Sequence, residues 1–421
     1  MRDHRIKLRD PIPVERIEVS HKNIGPRVVA FWILVVIAVV AIALGIYFWL
    51  RTEKGWQVVE PRSSAKTNCS NEFRFYYYVN GKSSDNRAEL RAAQDKYTEL
   101  TVTMYELFSP YDDISDVRNV YYINRNLNEP IYIDSVLYKA FEKVSSSRFI
   151  YGAPVQAFYE SLCSSRDDTA ASLYDPARNS EAKAFYEKIL AFANDENHVN
   201  IELLGDNKII LHVSEEYVAY AKENEIKNFI DFSYYKNAFI IDHMVEELNS
   251  IGLTSGLIVS YDGYTRTLSE QNCIFDIYSK LGNSYHQISQ AKLSKSFSAI
   301  ALHSYATSGI DGALHYVYKD GTTAHAYFDM NDAMSKCAND CFVVYSSSKN
   351  CADLIDFAYP VWVADTFDKS ALAAYGAEDV YYAYAEETTT HYSDSALTVE
   401  LPKDTEDRAY YATLDSTVAK S

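Results

Sequence analysis

The feature that most constrains this chain is the run from Val28 to Leu50, 23 residues without a charge. About 20 apolar residues suffice to cross a bilayer as a helix. Arg27 and Arg51 bracket the run, and Tyr47, Phe48 and Trp49 gather at its far end, where amphipathic rings settle at the headgroup level. The preceding tail, residues 1–27, carries seven Lys or Arg against four Asp or Glu. The positive-inside rule therefore keeps that tail cytoplasmic and places everything after Arg51 outside the membrane. A cleavable leader ending near Ala41-Ile42-Ala43 is the competing reading. The run is longer than a usual signal core of ~7–15 residues and continues past that site. Both readings export the rest of the chain.

The exported part is acidic. The chain holds 40 Lys and Arg against 58 Asp and Glu, and 33 against 54 remain once the tail is removed, a formal charge of roughly −21. Such a surface repels nucleic-acid phosphates and anionic headgroups, and no basic stripe offsets it, so nucleic-acid roles are excluded. All six cysteines, Cys69, Cys163, Cys273, Cys337, Cys341 and Cys351, lie beyond the apolar run. Their spacing matches no zinc pattern, and they read as structural, buried or paired in an oxidising space.

Residues 51–70 are polar and read as a linker, and the exported domain is expected over 71–395 with a polar tail over 396–421. Phe73 to Asn80 is aromatic-rich and predicts a strand ended by the Asn80-Gly81 turn. Leu90, Ala93, Tyr97, Leu100, Met104 and Leu107 recur at helical spacing, and Pro110 stops that helix. A second helix is predicted over Ile133–Val144 and another over Ala182–Ala193. Val199–Val213 reads as two strands around Asp206-Asn207. Ile241, Val245, Leu248 and Ile251 share one helical face, with Gly252 where a C-terminal cap belongs. Further short strands are predicted at Leu257–Tyr261, Ser298–Tyr305, Leu314–Lys319 and Phe342–Tyr345. Strands and helices interleaved without a regular βαβ period make an α+β domain of mixed sheets packed with helices.

Six segments in chain order, Phe108–Asn124, Asp231–Gly252, Ser260–Tyr264, Ala306–Gly309, Asp320–Ala333 and Asn350–Trp362, together resemble the FAD:protein FMN transferase (ApbE) family. Phe108–Asn124, FSPYDDISDVRNVYYIN, fits its small-residue and aromatic stretch through Ser109, Tyr111, Ser115 and Asn124. Asp231–Gly252 keeps Asp231, Asp242 and Gly252 in spacing, with Ser233 and Tyr234 replacing a glycine pair and Asn237 replacing a lysine, Lys236 standing one place early. Ser260–Tyr264, SYDGY, retains Gly263 of a second glycine pair, and Ala306–Gly309, ATSG, matches a Thr-Ser-Gly turn. Asp320–Ala333 keeps Asp329, but puts Ala326 in a histidine position, with His325 adjacent. Asn350–Trp362, NCADLIDFAYPVW, keeps Ala352 and Asp353, while Asp356 and Phe357 replace Ala and Thr.

The resemblance implies an extracytoplasmic flavin transferase that uses FAD and Mg²⁺ and modifies an exported flavin-accepting protein. It implies Asp353 as a metal ligand with Asp356 as a neighbouring carboxylate, Thr307 and Ser308 at the phosphate turn, and Ser109, Tyr111 and Asp242 along the flavin. A phenyl ring at 357 cannot ligate a hard cation, and side chains in place of glycines narrow a cofactor site. Two readings are therefore carried forward. One is a membrane-anchored transferase with weakened or lost activity. The other is a non-catalytic binding or scaffolding module of the cell envelope that keeps the fold. A third, an unrelated exported α+β domain, is decided by topology.

Overall fold

The computed structural model describes residues 33, 55–81, 83–144, 147–282, 284–305, 314–405 and 407–415. The chain divides into two compact units, Met1–Glu53 and Lys54–Ser421. Of the first, Ile33 is described and is helical. The rest of the span expected over Val28–Leu50 lies outside the described residues, among which no helix is long and apolar enough to cross a membrane.

The second unit opens with β1 (Gly55–Val59), antiparallel to β2 (Phe73–Val79). In β2 Phe73, Phe75, Tyr77 and Val79 are buried while their neighbours are half-exposed, the period-2 pattern of a sheet with one face on a core. The long helix α1 (Ser83–Phe108) follows and buries Ala93, Tyr97, Leu100, Met104 and Leu107. Its apolar spacing dictates that face. An excursion then comprises α2 (Val120–Ile123), β3 (Ile131–Tyr132), α3 (Ser135–Val144), α4 (Ala153–Cys163), α5 (Asp168–Tyr174), α6 (Ser180–Ala193), β4 (Val199–Gly205), β5 (Lys208–Val213) and α7 (Glu215–Glu223). The β4–β5 hairpin turns at Asp206 and Asn207, both at positive φ, as its two-residue turn requires.

The chain returns with α8 (Lys236–Ser250), closed by Gly252 at φ +83°, and β6 (Gly256–Ser260) and β7 (Tyr264–Thr267). A long hairpin, β8 (Gln271–Leu281) and β9 (Ser284–Lys295), precedes β10 (Ser298–His303). Then come β11 (His315–Val317), β12 (Thr323–His325), β13 (Cys341–Ser346), α9 (Cys351–Trp362), β14 (Tyr381–Glu386), β15 (Thr389–Tyr392), β16 (Thr398–Glu400) and β17 (Tyr411–Leu414).

Among the described residues, β1-β2-β6-β7-β10-β13-β14-β15-β17 form one nine-stranded sheet, antiparallel except for β15 with β17. Strand alternation gives it two buried faces. Ile258, Tyr264, Ile300, Leu302, Phe342 and Val344 face the larger core with α1, α8 and α9. Ala299, Cys341, Val343, Tyr345, Ala383 and Ala385 face a second core closed by the β16-β9-β8 sheet. The architecture is the expected mixture of α and β elements.

Two segment readings differ from the structure. Residues 51–70, expected as linker, contain β1, whose alternating Trp56, Val58 and Val59 continue the sheet edge. The tail expected from 396 contains β16, paired with β9, and β17, paired with β15. β1 buries Val59 in the core, whereas backbone pairing rather than side-chain burial holds β17, which is exposed along its length.

Among the described residues the cysteines are free thiols. Burial pushes Cys69, Cys163 and Cys341 up to about 12, so they pack as small apolar groups rather than react as thiolates.

Candidate functional site

A cleft of about 580 Å³ lies where the end of α1, the loop after it, α4 and the start of α8 meet. Buried Asn124 builds one wall. Its side-chain oxygen accepts from the Phe229 and Ile230 N–H groups (2.7 and 3.1 Å), and its amide donates to the Ile230 carbonyl (2.9 Å). That clamp, with the Asp231 N–H donating to the Ile150 carbonyl at 2.9 Å, holds Asp231 against the cleft. The next wall residue, Ser233, sits at φ +50°, the left-handed region that suits glycine. The backbone keeps a glycine conformation at a position where the resemblance expects glycine, and it carries a side chain into the lining. The strain is of order 1–2 kcal/mol.

The lining is acidic around one cation. Lys236, the first residue of α8, donates to Glu72 at 2.8 Å. Burial pushes the Lys236 ammonium down, but Glu72 and Asp231 outweigh it and hold the group above its ordinary value. Desolvation, reinforced by Glu160, pushes the Asp231 carboxyl up to about 7. The Glu160 carboxyl is also raised, by desolvation first, although Lys236 lies near and Tyr111 donates to it at 3.3 Å. At the rim, Ser109 and Tyr105 both donate to Asp112, the first at 3.0 Å. Glu72, Asp112, Glu160 and Asp231 thus stand against Lys236.

The sequence-selected residues fall into two places. Ser109 and Tyr111 line this cleft. Asp242 does not. It is buried, pairs with Arg266 at 2.7 Å, and accepts from the Cys351 and Ala352 N–H groups at 3.0 and 2.9 Å. It therefore anchors the N-terminus of α9, an arrangement that the dipole and the unpaired first-turn N–H groups of a helix favour. Burial pushes its carboxyl up to about 6 against the pull of Arg266 and those two N–H groups. Asp353 lies one turn on, reciprocally capping with Asn350 at the same helix start, beside a smaller polar cavity of about 290 Å³ that Arg266 and Lys349 also line. Lys143 reaches Asp353 at 3.1 Å and Asp356 at 3.4 Å. Phe357 packs edge-on against Tyr375. Thr307 and Ser308 lie outside the described residues. His325 is buried beside Trp362 and Tyr327, and burial, with His315 adding, pushes it down to about 3, a neutral ring.

Glu72, Gln156 and Glu160 are cleft residues that sequence reasoning missed. They come from a turn before β2 and from one face of α4, and no spacing in the sequence links them. The i,i+4 step from Gln156 to Glu160 was the one local signal.

Flavin and magnesium can be tested against these walls. A diphosphate needs donors and positive charge, whereas the described lining offers four carboxyl groups and one ammonium already bound to Glu72. Magnesium needs converging oxygens in near-octahedral array. The Asp353–Asp356 pair instead holds an ammonium, and no group of three or more His, Cys, Asp or Glu converges among the described residues. The described residues do not fit the pair.

No family profile matches the sequence, and no curated protein matches it either. Solved structures do. The ApbE protein of Thermotoga maritima superimposes with a TM-score of 0.52 at 13% identity, covering 79% of this chain and 94% of that one. The flavin transferase ApbE of Vibrio cholerae gives 0.50 at 11% identity, covering 83% and 97%. Topology thus decides against an unrelated domain: the chain has an ApbE-like fold.

Proposed function

We propose that this is a membrane-anchored extracytoplasmic protein that keeps the ApbE-like fold as a binding module, its flavin transfer lost. One observation carries the reading. The carboxylates that the resemblance assigns to magnesium, Asp353 and Asp356, are spanned by Lys143, and Phe357 stands where a ligand oxygen is required. The Lys143 ammonium meets both carboxylates at close range, and a divalent ion entering there would have to displace it. Four carboxyl groups in the cleft act in the same direction, since they repel a diphosphate. Export and anchoring are supported by the Val28–Leu50 run and the basic tail before it. The partner is then a component of the cell envelope, held by the cleft or by the surface around it.

Mn²⁺ titration of the purified chain, followed by the loss of free-ion paramagnetic resonance, tests the carrying observation. No specific uptake is expected in the wild-type protein. Lys143→Ala frees both carboxylates and is expected to gain weak uptake. Stoichiometric, tight Mn²⁺ binding by the unaltered chain, lost in Asp353→Ala, would contradict the reading.

A further inference from the structure

We propose that the acid-lined cleft binds an organic polycation, a small molecule carrying two or more primary or secondary ammonium groups. The inference rests on the binding-module reading and names the ligand class of the same site.

Three acceptor oxygens in the cleft wall have no partner among the described residues: Glu72 Oε2, Gln156 Oε1 and Ser233 Oγ. Gln156 is only 3% exposed, and its side-chain oxygen lines the cleft wall without a partner among the described residues. Its oxygen is left as a buried acceptor. An acceptor taken from water without a replacement is costly, so a wall that keeps them is a wall waiting for donors. The carboxyl groups ask for the same thing. Lys236, which donates to Glu72 at 2.8 Å, is the one cation among the lining residues, set against Glu72, Asp112, Glu160 and Asp231.

Ammonium groups answer both demands, because each brings several N–H donors and a positive charge. A bare metal ion answers them poorly, since it brings no N–H donors and needs converging ligands, and no group of three or more His, Cys, Asp or Glu converges among the described residues. The aromatic part of the lining, Tyr105, Phe108, Tyr111 and Tyr261, adds ring faces that attract cations and covers the methylene stretches between charges. A volume of about 580 Å³ admits a small ligand.

The probe is spermidine, titrated calorimetrically into the full-length chain at low and moderate salt. Saturable 1:1 binding that weakens with salt is expected. Glu160→Gln, at the exposed mouth of the cleft, is expected to weaken it about tenfold, or ~1.4 kcal/mol. Glu129→Gln, an exposed position outside the cleft lining, removes the same charge and is expected to leave affinity unchanged. Absence of saturable binding, or equal loss in both variants, would overturn the inference, since either means that spermidine only follows net charge. No flavin enters this experiment, so it fails separately from the reading beneath it: transferase turnover would remove that reading, while a silent titration without turnover removes only the polycation.

Discussion

Replacing Asp242 by Ala is expected to destabilise the unit Lys54–Ser421 by about 3–5 kcal/mol in urea unfolding. The side chain sits in the larger core between α8 and α9, 6% exposed. Its loss leaves the Arg266 guanidinium without its 2.7 Å partner and frees two N–H groups at the start of α9, those of Cys351 and Ala352. Each of those losses is costly because the partner left behind stays shielded from water. Asn at the same position keeps one acceptor oxygen for the helix start and forfeits the charge, so Asp242→Asn should lose clearly less. A residue that served only to hold a flavin would show the opposite pattern. Unfolding midpoints would stay put and ligand binding alone would suffer.

Gly263→Ala is expected to cost at least about 3 kcal/mol, for a steric reason. Gly263 has φ +95°, and a Cβ placed there would lie 2.0 Å from the Ala301 carbonyl oxygen. The contact is fixed on both sides, because Ala301 donates its own N–H to the Gly263 carbonyl at 2.9 Å. The β6–β7 turn and β10 are thus pressed together at backbone distance, and neither can withdraw without parting the middle of the nine-stranded sheet. Thermal unfolding followed by circular dichroism measures the loss. A melting temperature within a degree or two of wild type would mean that the turn is free to move.

Gly263 also shows what the sequence made legible. It is the surviving glycine of a segment selected by resemblance, and its retention follows from packing between strands. The long helix ending at Phe108, the strand from Phe73 and the Asp206-Asn207 hairpin were all readable, because their apolar or turn residues recur at the period their geometry imposes. The β8–β9 hairpin was not readable. Many of its inward positions are small or polar, such as Ser279, Ser289 and Ala291, and Ser289 meets Thr390 across the sheets at 2.6 Å. Polar inward positions of this kind interrupt the apolar alternation that Phe275, Ile277, Ile288 and Leu293 would otherwise carry. The β14–β15 turn was equally silent, since its positive φ is carried by Glu387 rather than by Gly or Asn.

The site divided in the same way. Ser109 and Tyr111, expected along a flavin, line the cleft, and they follow a helix whose end is written in the sequence. Asp242 and Asp353 share a helix start, and their spacing in the chain reflects that structural task. The acidic wall arises only on folding: Glu72, Glu160 and Asp231 are far apart in sequence and come together through Asn124 and Lys236. Charge counted along the chain gave the sign of the surface, and the fold alone shows where it concentrates.

The central claim is that an ApbE-like fold here binds without transferring flavin. Incubating the purified chain with FAD and Mg²⁺, and measuring AMP and FMN by chromatography, tests it most directly. Release no faster than in a protein-free control is expected. Magnesium-dependent AMP release that disappears in Asp353→Ala would contradict the account and restore the chain to catalysis.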